Sequence, residues 1–204
     1  ASGGIGRSMS YLFAKSGAPL GIHYNENRDG AESLAFDINN RAGGEAICFQ
    51  ADLLSSDVVS LIDNFVARTG GIDILINNAG AVFGFTEFLE LDEVSWRDTQ
   101  KLNVEAPFFL AQKAFMHMKE EGGGKIINIG SIAAKYGGSS RSLHYGAAKA
   151  ALESVTIGLA RAGAQHNILV NVVRGGFIDT PFHEKLGASK NIEERINIIP
   201  LKRA

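Results

Sequence analysis

The sequence predicts an α/β fold: a doubly wound parallel sheet with helices on both faces. Three observations carry this. Short apolar, strand-like runs alternate with longer amphipathic ones, the amphipathic runs separate successive strands, and glycines gather at the ends of apolar runs, as in Gly43-Gly44, Gly70-Gly71 and Gly137-Gly138. Strand–helix–strand repetition needs right-handed crossovers, which lay the strands parallel and cover the sheet on both sides.

The elements follow in order. The chain opens on ASGGIGRSM, a glycine turn running straight into a helix whose Ile5, Met9, Leu12 and Phe13 share a face. Strands are predicted over 20–24, 46–50, 72–76, 125–129 and 168–173, and further helices over 31–41, 58–68, 96–118 and 145–163. A chain of 204 residues suits one domain, 1–204. A phosphate-binding turn needs a strand to feed it, so this domain reads as lacking its first strand, and the IPLKRA end reads as lacking a closing strand.

Composition narrows the function. A net charge of −2 gives no electrostatic reason to expect nucleic acid or an anionic membrane as partner. No apolar run approaches the roughly 20 residues that cross a bilayer, and no signal-like segment is present, so the protein reads as soluble and cytoplasmic. The single cysteine, Cys48, cannot form an internal disulfide and has no neighbour at metal-ligand spacing; it reads as strand packing in a reducing compartment.

In such sheets ligands gather at the carboxyl ends of the strands. There the sequence places YNENR, ADL, NNAG, GS and RGGFIDT. The turn Ser2, Gly3, Gly4, Ile5, Gly6 allows backbone to approach a pyrophosphate at a helix N-terminus, although a plain tight turn would also account for it. NNAG, residues 77–80, offers amides that tie strands together and a glycine that leaves room for a flat ligand; an Asn-rich turn is the plainer reading. Asn103, Ser131, Tyr145 and Lys149 then form a constellation, with Tyr145 and Lys149 four apart on one helix face. Tyrosine, of ordinary pKa about 10, is a poor acid or base near neutrality, and a nearby ammonium favours its phenolate.

Taken in order, the glycine turn, Asp52, NNAG, Asn103, Ser131, YGAAK and GGFIDT resemble the short-chain dehydrogenase/reductase family in its compact single-domain branch, over essentially the whole chain. The resemblance implies that Tyr145 is the general acid/base, that Lys149 lowers its pKa and bonds the nicotinamide ribose, that Ser131 orients the substrate carbonyl, and that Asn103 completes a proton relay. It also implies that Ser2, Gly3, Gly4, Ile5 and Gly6 face the pyrophosphate, that Asp52 and Leu53 meet the adenine, and that Asn25 lies by the adenosine ribose. Asn78, Ala79, Gly80 and Ile129 would lie along the cofactor, with Gly176, Ile178 and Thr180 near the carboxamide and phosphates. No metal is implied.

The chain departs from the family pattern in three places. The start of the glycine motif would precede Ala1, the gap from Ser131 to Tyr145 is one residue longer than usual, with Ser139, Ser140 and Ser142 as competing serines, and Gly175-Gly176, preceded by Arg174, stands where Pro-Gly is usual.

At the end of the strand 20–24, Tyr24 and Asn25 stand where an acidic residue would select NAD, which leans the reading toward NADP with NAD open. Arg28 would reach a 2′-phosphate and Glu26 would oppose it, while a solvated loop with no cofactor role accounts for both residues equally well. The segment 177–190 would cover a small carbonyl substrate or an acyl thioester, and HYNEN and IPLKRA are similar to 3-oxoacyl-carrier-protein reductases. His23, His144 and His183 read as surface or structural residues. The helices over 96–118 and 145–163 carry enough apolar surface for an outward face, which the resemblance links to a homodimer or homotetramer. Two other readings stand beside the oxidoreductase: a catalytically silent nucleotide-binding protein on the same fold, and a nucleotide-sugar epimerase or dehydratase, for whose larger substrate region there is little room.

Overall fold

The computed structural model describes residues 2–41, 43–55, 57–186 and 192–204. The glycine turn leads into α1 (Gly4–Lys15), which Gly17 ends at φ +78. There the Gly17 amide bonds the Ala14 carbonyl and the Ala18 amide the Phe13 carbonyl, so the last turn's acceptors are satisfied. Then come β1 (Leu20–Tyr24), α2 (Arg28–Arg41), β2 (Ala46–Gln50), α3 (Ser60–Thr69) and β3 (Ile74–Asn77). The second half runs α4 (Glu93–Gln100), a π-helical turn (Lys101–Glu105), α5 (Ala106–Glu120), β4 (Gly124–Ser131), α6 (Ala133–Tyr136), α7 (Leu143–Gly163), β5 (Ile168–Gly175), α8 (Pro181–Lys185) and α9 (Ile192–Ile198).

All described pairing is parallel, as the alternating pattern requires, but it falls into two sheets rather than one. β1 pairs β2, with Leu20 opposite Ala46 and Tyr24 opposite Gln50. β4 lies between β3 and β5, with Asn77 opposite Asn128 and Ser131 opposite Gly175. Each sheet has its own core. Ile22, Leu34, Ile38 and Ala46 pack between the first sheet and its helices; Ile62, Leu110, Met118, Ile126 and Ile168 pack around the second. A fully buried aliphatic side chain of this size contributes about 1.5–3 kcal/mol, so each cluster is a substantial part of the stability.

The facing edges of β1 and β3 do not pair. Between them lies an apolar cavity of about 350 Å3, bordered by Leu20, Gly21, Ile74 and Ile76 and roofed by Phe65 and Leu110. Phe65 leans so far across that a Cβ on Gly21 would come within 2.8 Å of its ring.

The helix expected over 96–118 differs in an informative way. It starts earlier, because the Asp92 carboxylate accepts from the Ser95 amide at 2.8 Å and caps α4. It is then interrupted at Lys101–Glu105. Pro107 has no N–H to give to the carbonyl four residues back, that of Asn103, and a wider turn relieves the ring's clash there.

A buried polar chain ties the second sheet to its helices. Asn77 Nδ2 donates to Asn128 Oδ1 (2.9 Å) and the Pro107 carbonyl (3.2 Å), and Asn128 Nδ2 donates to Thr156 Oγ1 (2.9 Å). Thr156 in turn donates to the Leu152 carbonyl at 2.7 Å. The first Asn of NNAG thus ties strand to strand, as its position suggested.

Candidate active site

Four elements meet at the carboxyl end of β4. Ser131 ends that strand, Tyr145 and Lys149 project from the first turns of α7, Asn103 comes from the π-helical turn, and Gly80 from the loop after β3. Lys149 is 3% exposed; its ammonium donates to the Ile129 carbonyl at 2.8 Å and lies 5.6 Å from the centre of the Tyr145 ring. Burial lowers its pKa from 10.5 to about 8. Asn103 is fully buried and donates from Nδ2 to the carbonyls of Ala81 (2.7 Å) and Thr99 (2.9 Å). Its Oδ1 is buried with no hydrogen-bond partner among the described residues. A Cβ on Gly80 would fall 2.8 Å from that oxygen and 3.3 Å from Lys149 Nζ. Glycine is required there by the space, since the two head groups converge on its open side.

Tyr145 is half-buried. Burial raises its phenol above the ordinary value of 10, and the hydrogen bond from the Ser131 side chain pulls it partly back. Burial, rather than the charge of Lys149, is thus the largest influence on the phenol. Ser131 Oγ also accepts from the Ala133 amide at 3.1 Å. Of the competing serines, Ser139 and Ser142 bond each other at 2.9 Å in the exposed loop before α7.

The other predicted residues divide into two groups. The glycine turn and the RGGFIDT segment come together, for a Cβ on Gly4 (φ +51) would lie 3.5 Å from Thr180 Cγ2. The α1 N-terminus, at Gly3, has no side-chain cap. Ile178 lies against Gly175, and Gly176 is exposed in open space. Asn78 and Ala79 line the cavity between the sheets. Asn25, Asp52 and Leu53 stand at the carboxyl ends of β1 and β2: the Asn25 carbonyl accepts from Gln50 at 3.3 Å, Asp52 Oδ1 from the Leu54 amide at 2.9 Å, and Leu53 is buried. Arg28 pairs with Glu32 at 2.6 Å on the exposed face of α2.

Beyond Tyr145 lies the short helix α8. The Phe182 ring centre is 6.0 Å from that of Tyr145, and Phe177 stacks on His183 at 4.4 Å. Of the segment 177–190 expected to cover the substrate, 187–190 fall outside the described residues. Arg174, just before the Gly175-Gly176 that stands where Pro-Gly is usual, makes a bidentate pair with Glu153 of α7 at 2.8 and 2.6 Å. That pair links the end of β5 to α7 and supplies a restraint that glycine does not.

Asn128, Thr156 and Arg141 did not stand out in the sequence. A polar residue inside the apolar run KIINIG was the available signal for Asn128. His144 proves to be a buried structural residue, 1% exposed, and His23 bridges β1 to the Ala51 carbonyl at 2.9 Å.

A dinucleotide fits what these residues offer: an uncapped helix N-terminus behind a positive-φ glycine, an open cradle at Gly80, and an orphaned buried oxygen beside it. The family model for the short chain dehydrogenases matches residues 1–191. NADPH-dependent aldehyde reductase 1, chloroplastic, of Arabidopsis thaliana is 36% identical over 98% of this chain and 71% of its own length. The 3-oxoacyl-[acyl-carrier-protein] reductase FabG of Staphylococcus epidermidis is 32% identical over 100% of this chain and 82% of its own. A solved structure from Beutenbergia cavernae, provisionally assigned as an NAD(P)-dependent gluconate 5-dehydrogenase and carrying NADP at low occupancy, superposes with a TM-score of 0.91. It is 28% identical and covers 100% of this chain and 80% of its own. The chain belongs to the short-chain dehydrogenase family, and its class of chemistry is that of an oxidoreductase using a nicotinamide cofactor.

Proposed function

We propose that the protein is an NADPH-preferring reductase of a small-molecule carbonyl, working through Tyr145, Ser131, Lys149 and Asn103. The observation that carries this is the convergence of Lys149 Nζ and Asn103 Oδ1 on the open side of Gly80, with Ser131 on the Tyr145 phenol. The nicotinamide, when bound, supplies the hydride to the carbonyl carbon. The chain's own residues do the rest. The Ser131 hydroxyl, turning its single hydrogen from the phenol to the substrate, donates to the carbonyl oxygen and orients it; the Tyr145 phenol gives that oxygen its proton as charge develops; Lys149 and Asn103 lead a proton back to Tyr145. Replacement of Tyr145 by Phe tests the role: kcat should fall by about 100-fold or more with NADPH affinity retained, and a loss below about tenfold would remove Tyr145 as the acid.

Support for NADPH is the absence of a carboxylate at Tyr24 and Asn25, together with the exposed Arg28–Glu32 pair. So exposed a pair is screened by solvent and weak, and Arg28 can leave it for a 2′-phosphate at little cost. NADH binding tighter than NADPH binding by calorimetry would reverse the assignment. Among carbonyls, the finer proposal is a 3-oxoacyl thioester, supported by the FabG relative and by the aromatic wall that Phe182 sets beside Tyr145. Comparison of acetoacetyl-CoA, benzaldehyde and 5-ketogluconate as NADPH oxidants decides between an acyl, an aldehyde and a sugar-acid substrate. Nothing in the site or its relatives favours a catalytically silent protein.

Two features of the whole domain belong to the same reading. The cavity between β1 and β3 is proposed to hold an apolar strand of the same polypeptide, parallel to both edges and leading into Gly3. A variant carrying such a strand ahead of Ala1 should melt well above the 204-residue chain, and an unchanged melting temperature would exclude it. The outward Phe109 and Met116 of α5 and Ile157 of α7 (38%, 57% and 58% exposed) are proposed to pair with a second copy. Light scattering showing monomer alone at micromolar concentration would exclude that.

A further inference from the structure

His144 immediately precedes Tyr145, yet the two side chains go different ways, being about 100° apart on the helix. The histidine is 1% exposed, and its Nε2 lies 2.7 Å from the Phe83 carbonyl. A carbonyl only accepts, so Nε2 carries the hydrogen. The imidazole rests against Trp96 of α4, ring centres 6.5 Å apart, and the His144 carbonyl accepts from Gln100 Nε2 at 3.0 Å.

What His144 grips is itself held. The Phe83 amide donates to Thr99 Oγ1 (3.2 Å), the Ala81 carbonyl accepts from Asn103 Nδ2 (2.7 Å), and Arg141 donates to the Phe85 carbonyl (2.9 Å) with its guanidinium 4.3 Å over the Phe85 ring. The loop 81–85 is therefore anchored on α4, on the loop before α7 and, through Ala81, on the same π-helical turn that presents Asn103. On the far side of Tyr145, Gly146 packs so closely on the 137–138 turn that a Cβ there would lie 2.5 Å from Gly137 backbone. α7 itself has Ser142 as its N-cap, with no side-chain cap hydrogen bond. Its first turn is placed by its neighbours on both sides, not by its own cap.

We infer that His144 is the positioning residue of the acid: by locking the first turn of α7 onto the loop 81–85, it holds the Tyr145 phenol in register with Ser131 and with the Asn103 turn. This deepens the assignment of Tyr145 as the acid and rests on it. The histidine touches neither substrate nor cofactor; it acts through the backbone it anchors.

The test uses His144→Leu, which keeps apolar volume and removes the donor, and His144→Gln, whose carboxamide nitrogen reaches the Nε2 position. Turnover is read with NADPH and whichever of acetoacetyl-CoA, benzaldehyde and 5-ketogluconate the parent reduces fastest. His144→Leu should lower kcat by about 10- to 100-fold, the scale of an ångström-level misplacement, with the NADPH dissociation constant within about threefold of the parent. His144→Gln should recover most of that loss, a rescue that a merely space-filling role would not show. Should His144→Leu fail to fold, Gln100→Leu removes the second tether from a half-exposed site and should lower kcat in the same sense, with NADPH binding kept. A kcat unchanged in His144→Leu, or equally low in the Leu and Gln variants, overturns the inference. Tyr145→Phe run alongside separates the two failures: if it stays active, the assignment of the acid is wrong, whereas an inactive Tyr145→Phe beside a fully active His144→Leu refutes the positioning role alone.

Discussion

Replacing Lys149 by Met should stabilise the nucleotide-free protein while destroying its activity. The ammonium is 3% exposed, and its pKa falls from 10.5 to about 8 because burial disfavours the charge. At roughly 1.36 kcal/mol per pKa unit, holding Lys149 charged in the fold costs about 3 kcal/mol relative to the unfolded chain. Methionine has a similar length and no charge, so it escapes that cost. Against this stands the bond to the Ile129 carbonyl, at 2.8 Å, whose loss returns about 1–2 kcal/mol. The net gain near pH 7 is about 1–2 kcal/mol. Its pH dependence identifies the cause. Below pH 8 Lys149 is protonated in both states and the penalty is fully present. Between pH 8 and 10.5 the native protein has released the proton while the unfolded chain keeps it, so the parent gains stability as pH rises. The variant has no such gain, and its advantage should shrink and then reverse across that window. Urea unfolding of both proteins at pH 7 and pH 9.5, without nucleotide, measures the difference twice. A variant less stable than the parent at pH 7, or a difference that does not change with pH, would refute the argument that the site stores this cost for function.

Gly80→Ala should weaken NADPH binding and lower kcat together, because the new methyl would stand 2.8 Å from Asn103 Oδ1 and 3.3 Å from Lys149 Nζ; calorimetry and initial rates check it. Thr156→Val leaves the buried Asn128 amide without its acceptor at 2.9 Å and should cost about 1–3 kcal/mol in urea unfolding, with kcat little changed. Because burial raises the Tyr145 pKa, the loss of carbonyl reduction as Tyr145 deprotonates should lie on the alkaline side of the pH profile. Ser131→Ala, which removes the bond favouring the phenolate, should move that limb higher still while lowering kcat; a limb moving to lower pH would contradict the assigned hydrogen bond.

The positions of the strands and the candidate catalytic side chains were legible in the sequence, because both follow from local pattern. Alternating apolar runs mark 20–24 and 46–50, and the observed strands have those same bounds. The spacing of Tyr145 and Lys149 puts them on one helix face wherever that helix lies. The break at Lys101–Glu105 was not foreseen in a long apolar stripe, although its cause, Pro107, is in the sequence. The importance of Asn128, Thr156 and Arg141 was not legible either, since each acts through a partner 28, 28 or 56 residues away.

By itself, then, the sequence determined the parallel α/β class, the order of the elements and the four candidate catalytic residues, since all of these depend on periodicity and on side-chain chemistry at short range. Only the tertiary structure decided how those residues act on one another. The Lys149 pKa and the orphaned Asn103 oxygen arise from desolvation by chain segments distant in sequence. The clamping of His144 beneath Tyr145 likewise depends on which segments the fold brings together, since close packing and burial, unlike periodicity, are properties of neighbours in space.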